Sequence, residues 1–192
     1  FQTAAQMTPE LAALCPECVY VPLELLAENP SVADAFRENG AEIVAALPSV
    51  AFGEKEESEL RALLAKVHES GVTQALTGNL GLAMMAGQEG FRIRGDFDLA
   101  VMNSYTLSGM ASAGFLSAML SPELTFADIR EMPKCMDAEL AIYGRLPVMV
   151  TPFEGKRRTV HLHHARPDGR HTRRRMAGDE ALRLPQHRLG GA

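Results

Sequence analysis

Two carboxylates and an amide stand close together in "IRGDFDLAVMNSYTL", residues 93–107, and these residue types can carry chemistry. Asp96 and Asp98 flank Phe97 directly after a strand-like apolar run, and Asn103 follows where helical spacing begins. Carboxylates in such a place can exchange protons with a substrate, bind a polar group or hold a divalent metal ion. The strands and helices around these residues determine which other polar side chains lie near them.

The first 150 residues repeat one pattern, an apolar run of strand length followed by a turn and a helical stretch. The six runs begin at 18, 41, 72, 91, 114 and 138, so that their starts lie 23, 31, 19, 23 and 24 residues apart. This spacing is typical of single βα units, and continuous apolar runs are typical of parallel strands covered on both faces. The sequence therefore predicts an α/β fold of parallel βα repeats. Part of a TIM-type (β/α) barrel is favoured over an open doubly wound sheet.

Two of the connecting helices can be read from local patterns. Within "EKEESELRALLAKVHESG", helical spacing relates Leu60, Leu63, Leu64 and Val67, which predicts an amphipathic helix that covers a sheet. In "SPELTFADIREM" we expect Ser121 to be the N-cap and Pro122 to be the first helical residue.

The carboxyl ends of parallel strands meet at one edge, where the sites of such folds lie. We expect Asp96 and Glu123 to be catalytic carboxylates at this edge. The residues expected to bind substrate there are Asn79, Asn103, Ser121, Tyr143 and Arg145. The alternative is structural, because Asp and Asn often cap helices and brace turns at such ends.

Asp96 is the better candidate of the two neighbouring aspartates. It follows Gly95, whose missing side chain would let a ligand or another backbone approach. Alternation about Phe97 predicts that Asp96 and Asp98 share one side while Phe97 packs into the layer beneath. Arg145 could pair with Asp96 or with an anionic group of the substrate.

The charge changes sign along the chain. Residues 1–150 contain 9 Lys/Arg and 20 Asp/Glu, whereas residues 151–192 contain 10 and 4. We therefore predict a barrel segment over 1–150 and a separate basic tail over 151–192. Three explanations of the tail stay open: a shifted reading frame, a disordered segment, or a basic arm that binds nucleic acid. The cluster His161, His163 and His164 could also supply metal ligands.

Three cysteines are too few for a disulfide framework, which favours a reducing compartment, and we predict the cytoplasm. "CPEC" at 15–18 is only half of a metal or redox site. No apolar run approaches the roughly 20 residues that cross a bilayer, so we expect no membrane association. Because the chain begins at Phe1 rather than Met, we expect it to be a piece of a longer protein.

Four motifs resemble the later half of the core domain of the collagenase-like peptidases, family U32. They are "GNLG", "IRGDFDLAVMNSYTL", "LSPELTFADIR" and "ELAIYGRLPVMV", in this order within residues 18–150. The resemblance implies a distorted (β/α) barrel of which this chain holds the later strands. It also implies that an upstream barrel segment or a partner chain is needed.

The resemblance implies two activities. Members are described as peptidases of unknown catalytic type, and relatives take part in oxygen-independent hydroxylation of transfer RNA, ribosomal RNA or a quinone precursor, some with a cysteine-bound iron–sulfur cluster. The chain departs from the family pattern because it lacks the upstream motif with clustered cysteines, has Ala100 where Asn is common, and has no cysteine after Met149. These departures speak against a cluster in this chain.

Three functions stay open on the sequence. The first is hydrolysis of peptide bonds, with Asp96 or Glu123 activating water and a divalent metal as an open choice. The second is a component of an RNA-modifying hydroxylase, and the third is an inactive fragment. Because His68 is the only histidine of the matched region, the sequence speaks against a Ser-His-Asp or Cys-His nucleophile.

Overall fold

The structure is a computed structural model that describes residues 1–143, 163–165 and 171–173. The chain divides into two units, Phe1–Gly144 and Arg145–Ala192. In the second unit, two short strands, His163–Ala165 and His171–Arg173, pair antiparallel. Arg145 lies outside the described residues, and so does the predicted basic tail apart from these two strands.

Six parallel strands of the first unit form one sheet, and each lies in or at one of the six apolar runs. They are Cys18–Pro22 (β1), Glu42–Ala46 (β2), Gln74–Thr77 (β3), Arg92–Gly95 (β4), Ser117–Met119 (β5) and Asp137–Glu139 (β6). Neighbours in the sheet are also neighbours in the chain, in the order β1 to β6. A doubly wound sheet would reverse its strand order at a switch point, so this order is that of a barrel wound in one direction.

Helices or turns connect every pair of neighbouring strands. The α-helices are Pro9–Ala12 (α1), Leu23–Glu28 (α2), Asp34–Glu38 (α3), Gly53–Glu69 (α4), Leu80–Gln88 (α5), Ser104–Ser112 (α6) and Phe126–Glu131 (α7). Short 3₁₀ turns lie at Ala4–Gln6, Pro30–Ala33 and Phe97–Leu99. The amphipathic helix predicted from the leucine spacing is α4, which buries Leu60, Leu64 and Val67.

The predicted start of the last helix is wrong. Helix α7 begins after Thr125, whose hydroxyl accepts from the Asp128 amide at 3.2 Å while the Asp128 carboxylate accepts from the Thr125 amide at 3.0 Å. This reciprocal capping box satisfies two amides at once, which Ser121 cannot do. Ser121 is instead buried at the end of β5, where its amide donates to the Val101 carbonyl at 2.9 Å.

The two faces of the sheet differ in chemistry, because alternate residues of a strand point to opposite sides. The face covered by helices is apolar and includes Val19, Val21, Ile43, Ala45, Ala75 and Ile93, all in the core. The opposite face carries Tyr20, Glu42, Gln74, Arg94, Ser117 and Glu139, which are joined by hydrogen bonds. The same face also carries the buried apolar side chains of Val44 and Leu76, so polar residues interrupt the apolar runs on this side of the sheet.

The sheet curls around its polar face. In a flat sheet, five steps of about 4.8 Å would separate β1 from β6 by about 24 Å, beyond the reach of two side chains. Yet the Tyr20 hydroxyl on β1 donates to the Glu139 carboxylate on β6. The first unit is thus a curled half-barrel with helices outside and a polar concave face inside, which confirms the predicted fold.

Candidate functional site

The rim of the half-barrel consists of the segments that leave the carboxyl ends of the strands and enter the next helix. Its segments are 23–26, 47–56, 78–84, 96–105, 120–128 and 140–143. All of the predicted site residues except Arg145 lie on this rim.

Two of these residues cap helices. The Asn79 side-chain oxygen accepts from the amides of Gly81 at 2.9 Å and Leu82 at 3.3 Å, which caps α5. The Asn103 side-chain oxygen accepts from the Thr106 amide at 2.9 Å, which caps α6. Capping occupies the oxygen of each amide, and a contact of either residue with substrate stays a prediction.

Asp96 lies half-buried just beyond β4. One carboxylate oxygen, Oδ1, accepts from the Phe97 amide at 2.7 Å and caps the turn Phe97–Leu99, while the described contacts leave Oδ2 without a hydrogen bond. Burial raises the pKa of the Asp96 carboxyl above its ordinary value, although the hydrogen bond from the Phe97 amide lowers it. The negative charges of Asp98 and Glu139 raise this pKa further. Asp96 therefore holds a proton at a higher pH than a solvated aspartate.

Packing fills the space beside Gly95. A Cβ placed there would lie 2.9 Å from the Leu99 side chain, 3.3 Å from the Ala118 Cβ and 3.5 Å from the Ala118 Cα, so the close approach predicted at Gly95 is made by another part of the chain. The predicted packing of Phe97 is wrong. Phe97 is only half-buried, and Leu99 packs into the second core cluster instead. The cause is the 3₁₀ turn, whose three residues per turn replace the two-residue alternation on which the prediction relied.

Asp98 brings two neighbouring rim segments into contact. It is exposed, and a Cβ placed on Gly78 would lie 2.4 Å from the Asp98 Cβ. Only glycine leaves room for this approach between the turns after β3 and β4. The contact places Asp98 next to the turn that carries Asn79.

The remaining predicted residues lie farther along the rim. The Glu123 amide donates to the buried Ser121 hydroxyl at 3.3 Å, and the Glu123 side chain is exposed. Tyr143, beyond β6, is fully exposed. Asp96 and Glu123 lie on successive rim segments, and their joint catalytic role stays a prediction.

A polar network on the concave face was not predicted from the sequence. At its centre, the Arg94 guanidinium donates from Nε to Gln74 at 2.7 Å, and from Nη1 to Ser117 at 3.2 Å and Glu139 at 3.1 Å. Its Nη2 lies 3.7 Å from the Glu42 carboxylate. Arg94 thereby connects strands β2 to β6.

Hydrogen bonds to the two glutamates complete the network. Glu139 also accepts from the hydroxyls of Tyr20 and Ser117, and Glu42 accepts from Gln74. Burial first, and then the hydrogen bond to Glu139, raise the pKa of the Tyr20 phenol, which therefore stays a protonated donor. A sequence signal existed, because these polar residues interrupt the apolar runs at positions that face one side of each strand.

The cysteines lie apart from this arrangement or at its edge. Cys15 and Cys135 are exposed, and Cys18 is half-buried on β1. Burial raises the pKa of the Cys18 thiol, which disfavours the thiolate that binds metal. Within the described part of the chain, no group of three or more His, Cys, Asp or Glu side chains is arranged to hold a metal ion.

The family model of peptidase family U32 matches residues 25–169, three quarters of the chain. The chain belongs to peptidase family U32. No curated protein and no solved structure matches it. The matched range of this U32 chain includes strands β2 to β6 and nearly all of the rim, whereas Tyr20 precedes it.

The residues of this U32 chain do not fit the iron–sulfur cluster that the resemblance implies for some relatives. Such clusters are held by four ligands, usually cysteine thiolates, and the chain contains three cysteines, of which two are exposed in the structure. Of the helices in the described residues, none has the length and apolar character needed to cross a membrane.

Proposed function

We propose that this chain supplies the later half of a U32 barrel that hydrolyses peptide bonds, with Asp96 as the residue that exchanges a proton with water. The position and environment of Asp96 carry the proposal. It lies at the carboxyl end of a barrel strand, where barrel enzymes hold their catalytic groups, and burial raises its pKa toward the range useful for acid–base catalysis.

The proposed reaction uses one carboxyl group twice. The ionised Asp96 accepts a proton from water as the water oxygen bonds to the carbonyl carbon of the peptide. The protonated Asp96 then donates this proton to the amide nitrogen as the carbon–nitrogen bond breaks. Glu139 tunes Asp96 through its negative charge, and Arg94 positions Glu139. Glu123 contributes a second carboxylate on the neighbouring rim segment, where it binds the substrate.

Water as the nucleophile agrees with the position of the only histidine in residues 1–143. His68 lies at the end of α4 and packs edge-on against Phe91, with ring centroids 5.2 Å apart. Phe91 precedes β4, so His68 lies at the amino end of the strands, opposite the rim. It therefore cannot activate a serine or a cysteine at the proposed site.

The proposal extends to the surroundings of the half-barrel. Among the described strands, β1 and β6 each have one neighbour in the sheet, so this part of the chain has two open edges. We propose that further strands cover these edges in the active enzyme, from another segment of the protein or from a partner chain. The three described cysteines are free thiols, which supports a reducing compartment such as the cytoplasm.

The test compares the complete wild-type protein, including the segment or partner chain that covers the open edges, with its Asp96→Asn variant on fluorogenic peptides of mixed sequence. We expect the substitution to lower the rate of cleavage by about 100-fold or more, because a positioned acid–base group contributes at least that much. Asp34→Asn is the matched control, since Asp34 is an exposed aspartate paired with Arg37 on α3. Its rate should equal that of wild type.

Two results would overturn the proposal. One is full activity of Asp96→Asn with an unchanged fold by circular dichroism. The other is a combination of two findings. The protein cleaves no peptide, and a nucleoside with one added oxygen, present in RNA from the parent strain, is missing from RNA of a strain in which the gene is deleted. The second result would assign this chain to the hydroxylase function instead.

A further inference from the structure

Large apolar side chains are exposed at one end of the half-barrel. Within residues 15–143, every exposed large apolar side chain lies between the carboxyl end of a strand and the first two turns of the following helix. The principal ones are Phe52, Leu80, Met102, Tyr105, Phe126 and Tyr143. Exposed apolar surface that collects in one region marks a site of interaction.

These side chains follow one another along the rim. Phe52 and Leu80 stand where α4 and α5 begin, and Tyr105 and Phe126 stand in the first turns of α6 and α7. At the spacing of about 8–10 Å that packed helices have, the starts of four successive helices span about 24–30 Å. An extended polypeptide of about eight or nine residues, at about 3.3 Å each, has this length.

The charge of the same segments indicates which kind of partner the rim attracts. Among the described residues of the rim, one is basic, Lys55, and seven are acidic: Glu24, Glu54, Glu56, Asp96, Asp98, Glu123 and Asp128. Arg145, which was predicted for the same rim, lies outside the described residues. All of these carboxylates except Asp96 are exposed. Such a surface repels the phosphates of RNA and attracts cationic side chains.

We propose that the rim binds an extended polypeptide segment that combines apolar and basic side chains. The apolar side chains lie against Phe52, Leu80, Tyr105 and Phe126, and the basic ones approach the rim carboxylates. The inference rests on the proposed function and names the substrate class of that site, since a bound segment passes Asp96. The aromatic rings could also stack with bases, and RNA is therefore the rival ligand in the test.

The experiment measures binding separately from cleavage. Asp96→Asn protein is titrated against three fluorescein-labelled probes, and fluorescence anisotropy gives the Kd of each. The probes are a peptide of about nine residues with Leu, Phe and Lys, the same peptide with Glu in place of each Lys, and a single-stranded oligouridylate. We expect the Lys peptide to bind at least about tenfold more tightly than either other probe, and added salt to weaken its binding.

Surface variants locate the binding site. In the same background, the double variant Tyr105→Ser/Phe126→Ser should raise the Kd of the Lys peptide by about tenfold or more. These side chains are 88% and 84% exposed, so their replacement leaves the core intact. Leu14→Ser is the matched control, because Leu14 is 74% exposed but precedes β1, at the other end of the strands. It should leave the Kd unchanged.

Each contrary result has a definite meaning. Equal binding of the Glu peptide, tighter binding of the oligouridylate, or an equal effect of Leu14→Ser would overturn the rim proposal. If the Lys peptide binds at the rim but wild-type protein never cleaves it, the rim proposal stands and the proposed hydrolysis fails. The same double substitution is also made in wild-type protein for the cleavage assay. If the double variant binds the Lys peptide as tightly as its parent in the Asp96→Asn background and cleaves peptides as fast as its parent in the wild-type background, hydrolysis stands and the rim proposal fails.

Discussion

The hydroxyl of Tyr20 on the first strand donates to the carboxylate of Glu139 on the sixth strand, across 119 positions of sequence. This hydrogen bond spans the concave face and joins the two outer strands of the half-barrel. It also belongs to the Arg94 network, since Glu139 accepts from Arg94 as well. The curl of the sheet and the polar network are therefore coupled.

Removing the Tyr20 hydroxyl should weaken this connection. We expect Tyr20→Phe to lower the free energy of unfolding by about 1.5 kcal/mol, the value of a hydrogen bond to a charged group, while the ring keeps its packing. Tyr105→Phe removes the same hydroxyl from an exposed tyrosine and should change little. Urea denaturation of both variants measures the difference, and equal stabilities would show that β1 and β6 are not joined in this way.

Arg94 and Arg92 provide a matched pair of arginines on one strand. The Arg94 side chain is 19% exposed and that of Arg92 is 58% exposed. We expect Arg94→Met to cost about 3 kcal/mol, because Glu42 and Glu139 would lose their shared cation in a partly buried place. Arg92→Met should cost less than about 1 kcal/mol, as for a surface ion pair. A smaller loss for Arg94→Met than for Arg92→Met in chemical denaturation would contradict the network.

The raised pKa of Asp96 makes stability depend on pH. An unfolded aspartate has a pKa of about 3.9, and burial raises the pKa of Asp96 above this value in the folded state. Protonated Asp96 therefore contributes to the stability of the folded state. This contribution is complete below the pKa of the unfolded state and is lost as the pH rises through the pKa of the folded state. Asn does not titrate, so Asp96→Asn should gain stability relative to wild type as the pH rises above about 4.

The pKa of Asp128 is shifted in the opposite direction to that of Asp96, so stability should depend on pH with the opposite sign. Hydrogen bonds from the Thr125 hydroxyl and amide lower the pKa of Asp128, so its contribution is present above the unfolded pKa and lost as the pH falls through the folded one. Asp128→Asn should therefore lose stability relative to wild type as the pH rises. Unfolding free energies over a pH series test both signs, and parallel curves for the two variants would refute the assignment of Asp96.

Gly78 and Gly87 separate close packing from helix propensity. A Cβ on Gly78 would lie 2.4 Å from the Asp98 Cβ, whereas one on Gly87, within α5, meets no atom within 4 Å. We expect Gly78→Ala to cost about 1–3 kcal/mol through overpacking. Gly87→Ala should instead stabilise the protein by about 0.5–1 kcal/mol. Thermal denaturation of both variants suffices, and a neutral Gly78→Ala would mean that the two rim turns do not touch.

Local patterns in the sequence were sufficient for the elements and their order. The apolar runs predicted all six strands, and their spacing predicted parallel connections, because one βα unit needs a fixed length of chain. The leucine spacing predicted α4 for the same reason. The start of α7 was missed because two candidate caps, Ser121 and Thr125, compete within a few residues. The capping box and the burial of Ser121 decide between them.

The candidate site was likewise only partly predictable from the sequence. The sequence placed Asp96, Asn79 and Asn103 at strand ends, and the structure adds that each caps a helix or turn. It could not show that Leu99 rather than Phe97 packs inward, because a 3₁₀ turn interrupts the alternation after β4. The roles of these residues toward a substrate stay predictions.

By itself, the sequence determined the number of strands, their parallel order, the polar residues at the strand ends and the family resemblance, because these depend on residues a few positions apart or on composition. The tertiary structure alone decided that Tyr20, Arg94 and Glu139 meet on one concave face, and that Asp98 packs over Gly78. The physical reason is that these partners lie on different strands or turns. Only the curl of the sheet and the packing of neighbouring connections bring their side chains within contact distance.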